Sequence, residues 1–148
     1  MERKAQSLVP VMRVIKIAFI VSGFLYFYMV ITMPSHAQHP PAPALNWAFT
    51  IVAFTCVVIG FNTRGLFVRS AGGSSQNLPA SVQFKRWMSA GIMSLANFEA
   101  CILFGFALHF LGAPLWQVEL LFGVGLIAMV LWSPGEPPAT EKENFLQG

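Results

Sequence analysis

Four long apolar runs dominate this chain and restrict what it can fold into. They cover residues 14–33, 45–68, 87–111 and 115–132. A helix needs about 20 apolar residues to cross the hydrocarbon core of a bilayer. Strands that cross membranes alternate polar and apolar residues, and these runs show no such alternation. The sequence therefore predicts an all-α polytopic membrane protein with four transmembrane helices.

The composition agrees with a membrane protein. Apolar residues make up 55% of the chain and charged residues 10%, whereas about 25% of the residues in a soluble domain are charged. With two cysteines in 148 residues, the chain is not a disulfide scaffold, and its apolar content excludes a disordered chain. We expect one transmembrane domain over residues 1–133, a disordered tail over 134–148, and the lipid bilayer as a partner.

The segments between the runs differ in character. Pro34 ends the first run, and residues 35–45 contain three more prolines, which predicts a stiff, non-helical loop. Residues 70–81 are rich in Gly and Ser and predict a flexible loop. Gly112–Pro114 alone separates the last two runs, so helices 3 and 4 should form a tight antiparallel hairpin.

The tryptophans and the basic residues predict how the helices sit in the bilayer. Each tryptophan lies near an end of a run: Trp47, Trp87, Trp116 and Trp132. Trp favours membrane interfaces, which supports these boundaries. All nine Lys and Arg residues lie near the N-terminus, around the loop of residues 70–81, or in the C-terminal tail. The positive-inside rule then places both termini in the cytoplasm of a bacterial-type inner membrane. The net charge of +3 is therefore a topology signal, and no nucleic-acid partner is expected.

The first run also permits a second interpretation. Ser35-His36-Ala37 has the small-x-small form of a signal-peptidase site and follows a basic segment and an apolar run. The run of about 20 residues exceeds the 7–15 residues that are usual for the apolar region of a signal peptide. We therefore expect helix 1 to be retained, with cleavage after Ala37 as the alternative.

Glu99 is the most informative polar residue. It lies 13 residues after Arg86, or about 20 Å along a helix, which is the middle third of a hydrocarbon core about 30 Å thick. A carboxyl group at that depth should face the bundle or a partner. It can carry a proton, bind a cation, or hydrogen-bond to another helix. The candidate neighbours are Asn97, Ser94 and Cys101, or a residue of helix 1 or 2.

Small residues around Glu99 predict that helix 3 is the central helix. Asn97, Cys101 and Gly105 recur every four residues, and Ala96 and Ala100 form a second such pair. Small residues at this spacing let helix backbones approach closely. On helix 4, the predicted partner face consists of Gly123, Gly125 and Ala128.

The segment Ala96-Asn97-Phe98-Glu99-Ala100, followed by Gly105 and an apolar run, resembles the carboxylate-bearing helix of rotary ATPase proteolipid (c-type) subunits. The resemblance covers about 25 residues and implies that Glu99 is a proton- or cation-binding carboxylate. The family's glycine ladder on the preceding helix is absent here, because Gly60 alone lies in the apolar part of helix 2. The chain as a whole is also similar to uncharacterised bacterial four-helix membrane proteins, which implies no activity.

The other polar residues predict no metal centre, cofactor or enzyme. His36, His39, His109 and Glu119 fall on the outer side but match no zinc spacing. Cys56 and Cys101 lack a C-x-x-C arrangement and are expected to pack as small apolar residues. No histidine lies mid-membrane to ligate a haem.

Two functional hypotheses follow. The first is a non-enzymatic membrane subunit or accessory protein that makes helix–helix contacts around Glu99, within a homo-oligomer or a larger complex. The second is proton- or cation-coupled transport through an oligomer, with Glu99 as the ion-binding carboxylate.

Overall fold

The computed structural model describes residues 8–33, 42–69, 80–133 and 135, and these form four helices. The helices are α1 (Leu8–Thr32), α2 (Pro43–Arg69), α3 (Ala80–Phe110) and α4 (Leu115–Leu131). The described residues contain no strand, which confirms the all-α prediction for this part of the chain. Three helices carry stretches long and apolar enough to cross a membrane: Val11–Thr32, Pro43–Thr63 and Val82–Phe110. The apolar α4 is shorter, at 17 residues.

Two helices begin earlier than the sequence predicted. The starts predicted at residues 14 and 87 were wrong, because α1 begins at Leu8 and α3 at Ala80. An apolar run marks only the part of a helix that suits hydrocarbon, whereas these helices continue through polar residues such as Arg13 and Lys85. Trp87 accordingly lies inside α3 rather than at its end. Residues 70–79 of the predicted flexible loop, and residues 134 and 136–148 of the predicted tail, lie outside the described residues.

The proline-rich loop was also predicted to extend too far, because Pro43 already belongs to α2. The carbonyl of Ala42 accepts hydrogen bonds from the N–H groups of Leu45 at 2.9 Å and Asn46 at 3.1 Å. Proline is favoured in a first helical turn because the N–H that it lacks has no partner there. Residues 34–41, with His36 and His39, lie outside the described ranges.

A glycine lies in the turn between α3 and α4. Gly112 has a φ of 81°, a backbone conformation that side chains disfavour. The N–H of Ala113 donates to the carbonyl of Leu108 at 3.0 Å, and that of Gly112 donates to His109 at 3.0 Å. This pair of bonds is the Schellman motif, which satisfies carbonyls at a helix end.

The core is centred on Phe98 and Ile102 of α3, both 0% exposed. A glycine from each other helix fits against them. A Cβ on Gly60 of α2 would lie 2.5 Å from the ring of Phe98, and one on Gly23 of α1 would lie 2.9 Å from Ile102. On α4, a Cβ on Gly125 would lie 2.5 Å from Ile102 and 3.0 Å from the carbonyl oxygen of Phe98. The prediction that helix 3 is central is confirmed, since α3 packs against α1, α2 and α4.

The predicted contact face of α4 was only partly right. Gly125 and Ala128 are buried, but a Cβ on Gly123 would meet no atom within 4 Å. Two residues along an α-helix correspond to about 200° of rotation, so Gly123 and Gly125 cannot share one face.

The end of α4 is joined to α1 by a lysine. Lys16 Nζ donates to the carbonyl of Val130 at 2.9 Å and to that of Trp132 at 2.7 Å. The last carbonyls of a helix have no partner within the helix, and a cation stabilises the negative end of the helix dipole. Trp132 is 5% exposed, and its ring packs edge-on against Phe98. It therefore lies in the core and not on a lipid-facing surface.

Gly125→Ala should destabilise the fold, because its Cβ would displace Ile102 or the backbone of Phe98. We expect a cost of about 1–3 kcal/mol, as for overpacked cores, seen as a lower unfolding midpoint in detergent. Gly123→Ala is the matched control, because its Cβ would enter open space, and it should leave the midpoint unchanged or slightly higher. Equal midpoints for the two variants would contradict this packing.

Lys16→Gln should loosen the last turn of α4, because two carbonyls lose their cationic donor. The loss should be about 1–2 kcal/mol, measured as faster amide hydrogen exchange at the end of α4. Arg13→Gln removes a charge from an exposed position on the same helix, so it should leave that exchange unchanged. If both variants accelerate exchange equally, net charge and not the contact is responsible.

Candidate site around Glu99

The helices α1 and α3 run side by side in the same direction, which brings Glu99 next to α1. The contacts occur in the same order along both helices. Met12 contacts Gly91, Gly23 contacts Ile102, the ring of Tyr26 packs against Phe106, and the carbonyl of Met33 bonds to His109. Because Gly23 lets α1 approach Ile102 closely, the residue before it, Ser22, comes within reach of Glu99.

Ser22 is the described partner of Glu99. Its hydroxyl, Oγ, donates to Glu99 Oε1 over 2.8 Å, and both side chains are half-buried. The contact joins two helices 77 residues apart in the chain. Oε1 is thus satisfied across the α1–α3 contact, whereas Oε2 accepts no hydrogen bond from any of the residues described. The carboxyl group can accept a further donor, a proton or a cation at that oxygen.

The neighbours proposed on helix 3 itself make other contacts. Asn97 Nδ2 donates to the carbonyl of Met93 at 2.8 Å, and Cys101 Sγ to the carbonyl of Leu121 at 3.5 Å. Ser94 is 0% exposed, and its hydroxyl has no partner among the described residues. Asn97 and Cys101 each lie two residues from Glu99, or about 200° around the helix. Their side chains therefore point away from that of Glu99.

Two of the predicted outer-side residues, His109 and Glu119, lie within the described residues. His109 is 5% exposed, and its Nε2–H donates to the carbonyl of Met33 at 2.8 Å, beyond the end of α1. Glu119 lies on the exposed side of α4, where no described residue hydrogen-bonds to it. The described residues hold no group of three or more His, Cys, Asp or Glu side chains that could bind a metal ion. His36 and His39 lie outside those residues, so their place relative to His109 stays a prediction.

A second polar cluster joins α2 to α4 and was missed by the sequence analysis. Asn46 Nδ2 donates to Gln117 Oε1 at 2.6 Å, and Gln117 Nε2 donates to the hydroxyl of Thr50. That hydroxyl donates in turn to the carbonyl of Asn46 at 2.9 Å. One signal was available: Asn46 and Gln117 both fall in the first turn of a helix, and the two helices begin on the same side of the bundle.

Ser22 was also missed, although it too had a signal. It is the one serine inside the apolar run that forms α1, with a glycine next to it. The sequence does not give the register between α1 and α3, so it could not pair this hydroxyl with the carboxyl.

Comparisons of this chain with protein-family models, with curated proteins and with solved structures found no match.

Proposed function

We propose that this chain is a non-enzymatic, four-span subunit or accessory protein of a bacterial-type inner membrane, which makes helix–helix contacts around Glu99. The observation that carries the proposal is the hydrogen bond from Ser22 to Glu99. In this bond, the carboxyl group accepts from a hydroxyl group on another helix, which supports a contact role. A polar group commonly joins helices in this way where lipid offers no alternative partner.

The lengths of the helices support the proposed four spans. Three helices are long and apolar enough to cross a membrane. The 17 residues of α4 extend about 25 Å, at the lower limit for a span. The turn at Gly112 supports the proposed hairpin of α3 and α4, in which the chain returns to the side on which α3 begins. With every Lys and Arg assigned to one side, the termini and residues 70–79 are cytoplasmic.

The hydrogen bonds of Glu99 with the described residues leave one carboxyl oxygen without a donor, which supports a role in assembly. A charge or carboxyl group deep in a membrane costs at least about 2.5 kcal/mol. Ser22 offsets part of that cost, but the side chain is half-buried and Oε2 has no donor among the described residues. A helix of a homo-oligomer or of a larger complex would supply the missing donor.

Ion translocation is the second candidate, and the same open oxygen favours it. A carboxyl group with one hydroxyl donor, and with one oxygen that accepts no hydrogen bond from the described residues, can bind a proton or a cation. The local resemblance to c-type proteolipids agrees with this role but stays a prediction.

Replacing Glu99 by Gln separates the two functions. Gln keeps an oxygen that accepts from Ser22, but it cannot ionise. If the first function is right, Glu99→Gln still assembles in detergent. Liposomes then show no proton or sodium flux with the wild type or with the variant. Ser22→Ala should weaken the α1–α3 contact by about 0.6–2 kcal/mol, measured as a lower unfolding midpoint. Glu119→Gln is the matched control, because that carboxyl group lies on an exposed surface. Wild-type flux that disappears in Glu99→Gln, with assembly intact, would establish transport and reject the first function.

The proposed topology has its own measurement. A fluorescent reporter that folds only in the cytoplasm should be bright when it is fused after Gly148, and a periplasmic phosphatase at the same place should be inactive. The reverse pattern would place the C-terminus outside and contradict the orientation assigned from the basic residues.

A further inference from the structure

We propose that α3 pairs in parallel with α3 of a second copy of this chain, and that Asn97 of each copy donates to Glu99 of the other. This inference rests on the proposed function, in which Glu99 is a contact between helices, and it names the partner. Four observations carry it: the small side chains on one face of α3, the contrast with other outward faces, the polar residues at the two edges, and the matching requirements of donor and acceptor.

The pairing surface is a strip of small side chains on the outward side of α3, which we call the small face. Ser89 and Ala96 are exposed, and Ala100 and Ala107 are half-buried. These four positions lie within about 40° of one another around the helix, at 100° per residue. Small residues in such a row let a second helix come close enough for backbone contact.

Other outward faces of the molecule have large side chains. The outward face of α1 presents Val14, Val21, Phe24 and Tyr28, between 58% and 64% exposed. Bulky apolar side chains of this kind suit contact with lipid. Large side chains are exposed on α3 too, where Leu103 (42%) and Met93 (48%) lie on either side of the small face, at 100° per residue. The small face is thus a narrow strip between bulkier residues.

Two polar residues lie at opposite edges of the outward side of α3, beyond Leu103 on one side and Met93 on the other. Glu99 lies at one edge, on the side of Ser22 in α1. Asn97 lies about 160° from it across the small face, at 100° per residue, and is half-buried. The carboxamide nitrogen Nδ2 of Asn97 has two N–H groups. One of them donates to the carbonyl of Met93. Within the described part of the chain, one edge therefore has an oxygen without a donor and the other an N–H without an acceptor.

A two-fold axis parallel to the helices would bring these edges together. In such a pair, the Glu99 edge of one copy faces the Asn97 edge of the other, and the symmetry makes the contact twice. Asn97 and Glu99 are two residues apart, which is about 3 Å along the helix axis. Their side chains can span that difference. The second copy thus supplies the donor that Glu99 Oε2 lacks among the described residues.

The second copy is favoured because the surface is complementary to itself. An interface with two-fold symmetry uses the same patch on both subunits, and the small face carries both members of the required polar pair. With every basic residue assigned to one side of the membrane, all copies share one orientation. A parallel pair of α3 helices is therefore always available in the bilayer.

Cysteine cross-linking in native membranes tests the pairing. In full-length protein with Cys56→Ala and Cys101→Ala, cysteines introduced as Ala96→Cys or Ala100→Cys should form a disulfide-linked dimer on mild oxidation. Val21→Cys, on the outward face of α1, is the matched control and should remain monomeric. No dimer at either position on the small face, or equal dimer at Val21→Cys, would overturn the proposal.

The polar pair has a separate readout. Asn97→Ala should weaken the dimer about threefold or more, measured by energy transfer between labelled copies in liposomes, and Glu99→Ala should have a similar effect. Undiminished dimer in both variants would reject the Asn97–Glu99 contact. A monomeric wild type in which Ser22→Ala still destabilises the fold would reject the self-pairing alone and leave the proposed function standing. A wild type whose stability is unaffected by Ser22→Ala would count against the proposed function.

Discussion

Close packing around Phe98 and Ile102 is the interaction on which the rest of the structure depends. A glycine from α1, α2 and α4 meets these two side chains, so each helix can approach α3 as closely as its backbone allows. The hydrogen bond from Ser22 to Glu99 follows from this packing, because Gly23 adjoins Ser22 and Ile102 lies one turn beyond Glu99. The geometry of the polar site is thus determined by apolar contacts beside it.

The sequence predicted the helices well and their ends less well. Apolar runs identified all four helices and the central place of α3, because hydrocarbon-like surroundings require continuous apolar length. They did not identify the start of α3 at Ala80, because a helix continues into water on backbone hydrogen bonds and needs no apolar side chain there. Pro43 was assigned to a loop for a similar reason, since a proline breaks the interior of a helix but suits its first turn.

Only part of the candidate site could be predicted from the sequence. Glu99 could be identified from its depth along a helix, which is a property of one segment. Its partner Ser22 could not, because the rotation and register of one helix against another depend on how side chains such as Phe98 and Ile102 pack. The cluster of Asn46, Thr50 and Gln117 was missed for the same reason, although its members lie at the beginnings of two helices.

The attachment of α1 does not depend on the chain that follows it. Lys16 binds carbonyls at the end of α4, Ser22 binds Glu99, and the carbonyl of Met33 accepts from His109. These contacts lie near one end, the middle and the other end of the helix, and Gly23 packs against both α3 and α4 between them. A break in the backbone at residues 34–41 would therefore sever none of these contacts. Cleavage after Ala37 would change the number of polypeptides and leave these attachments of α1 to the bundle in place.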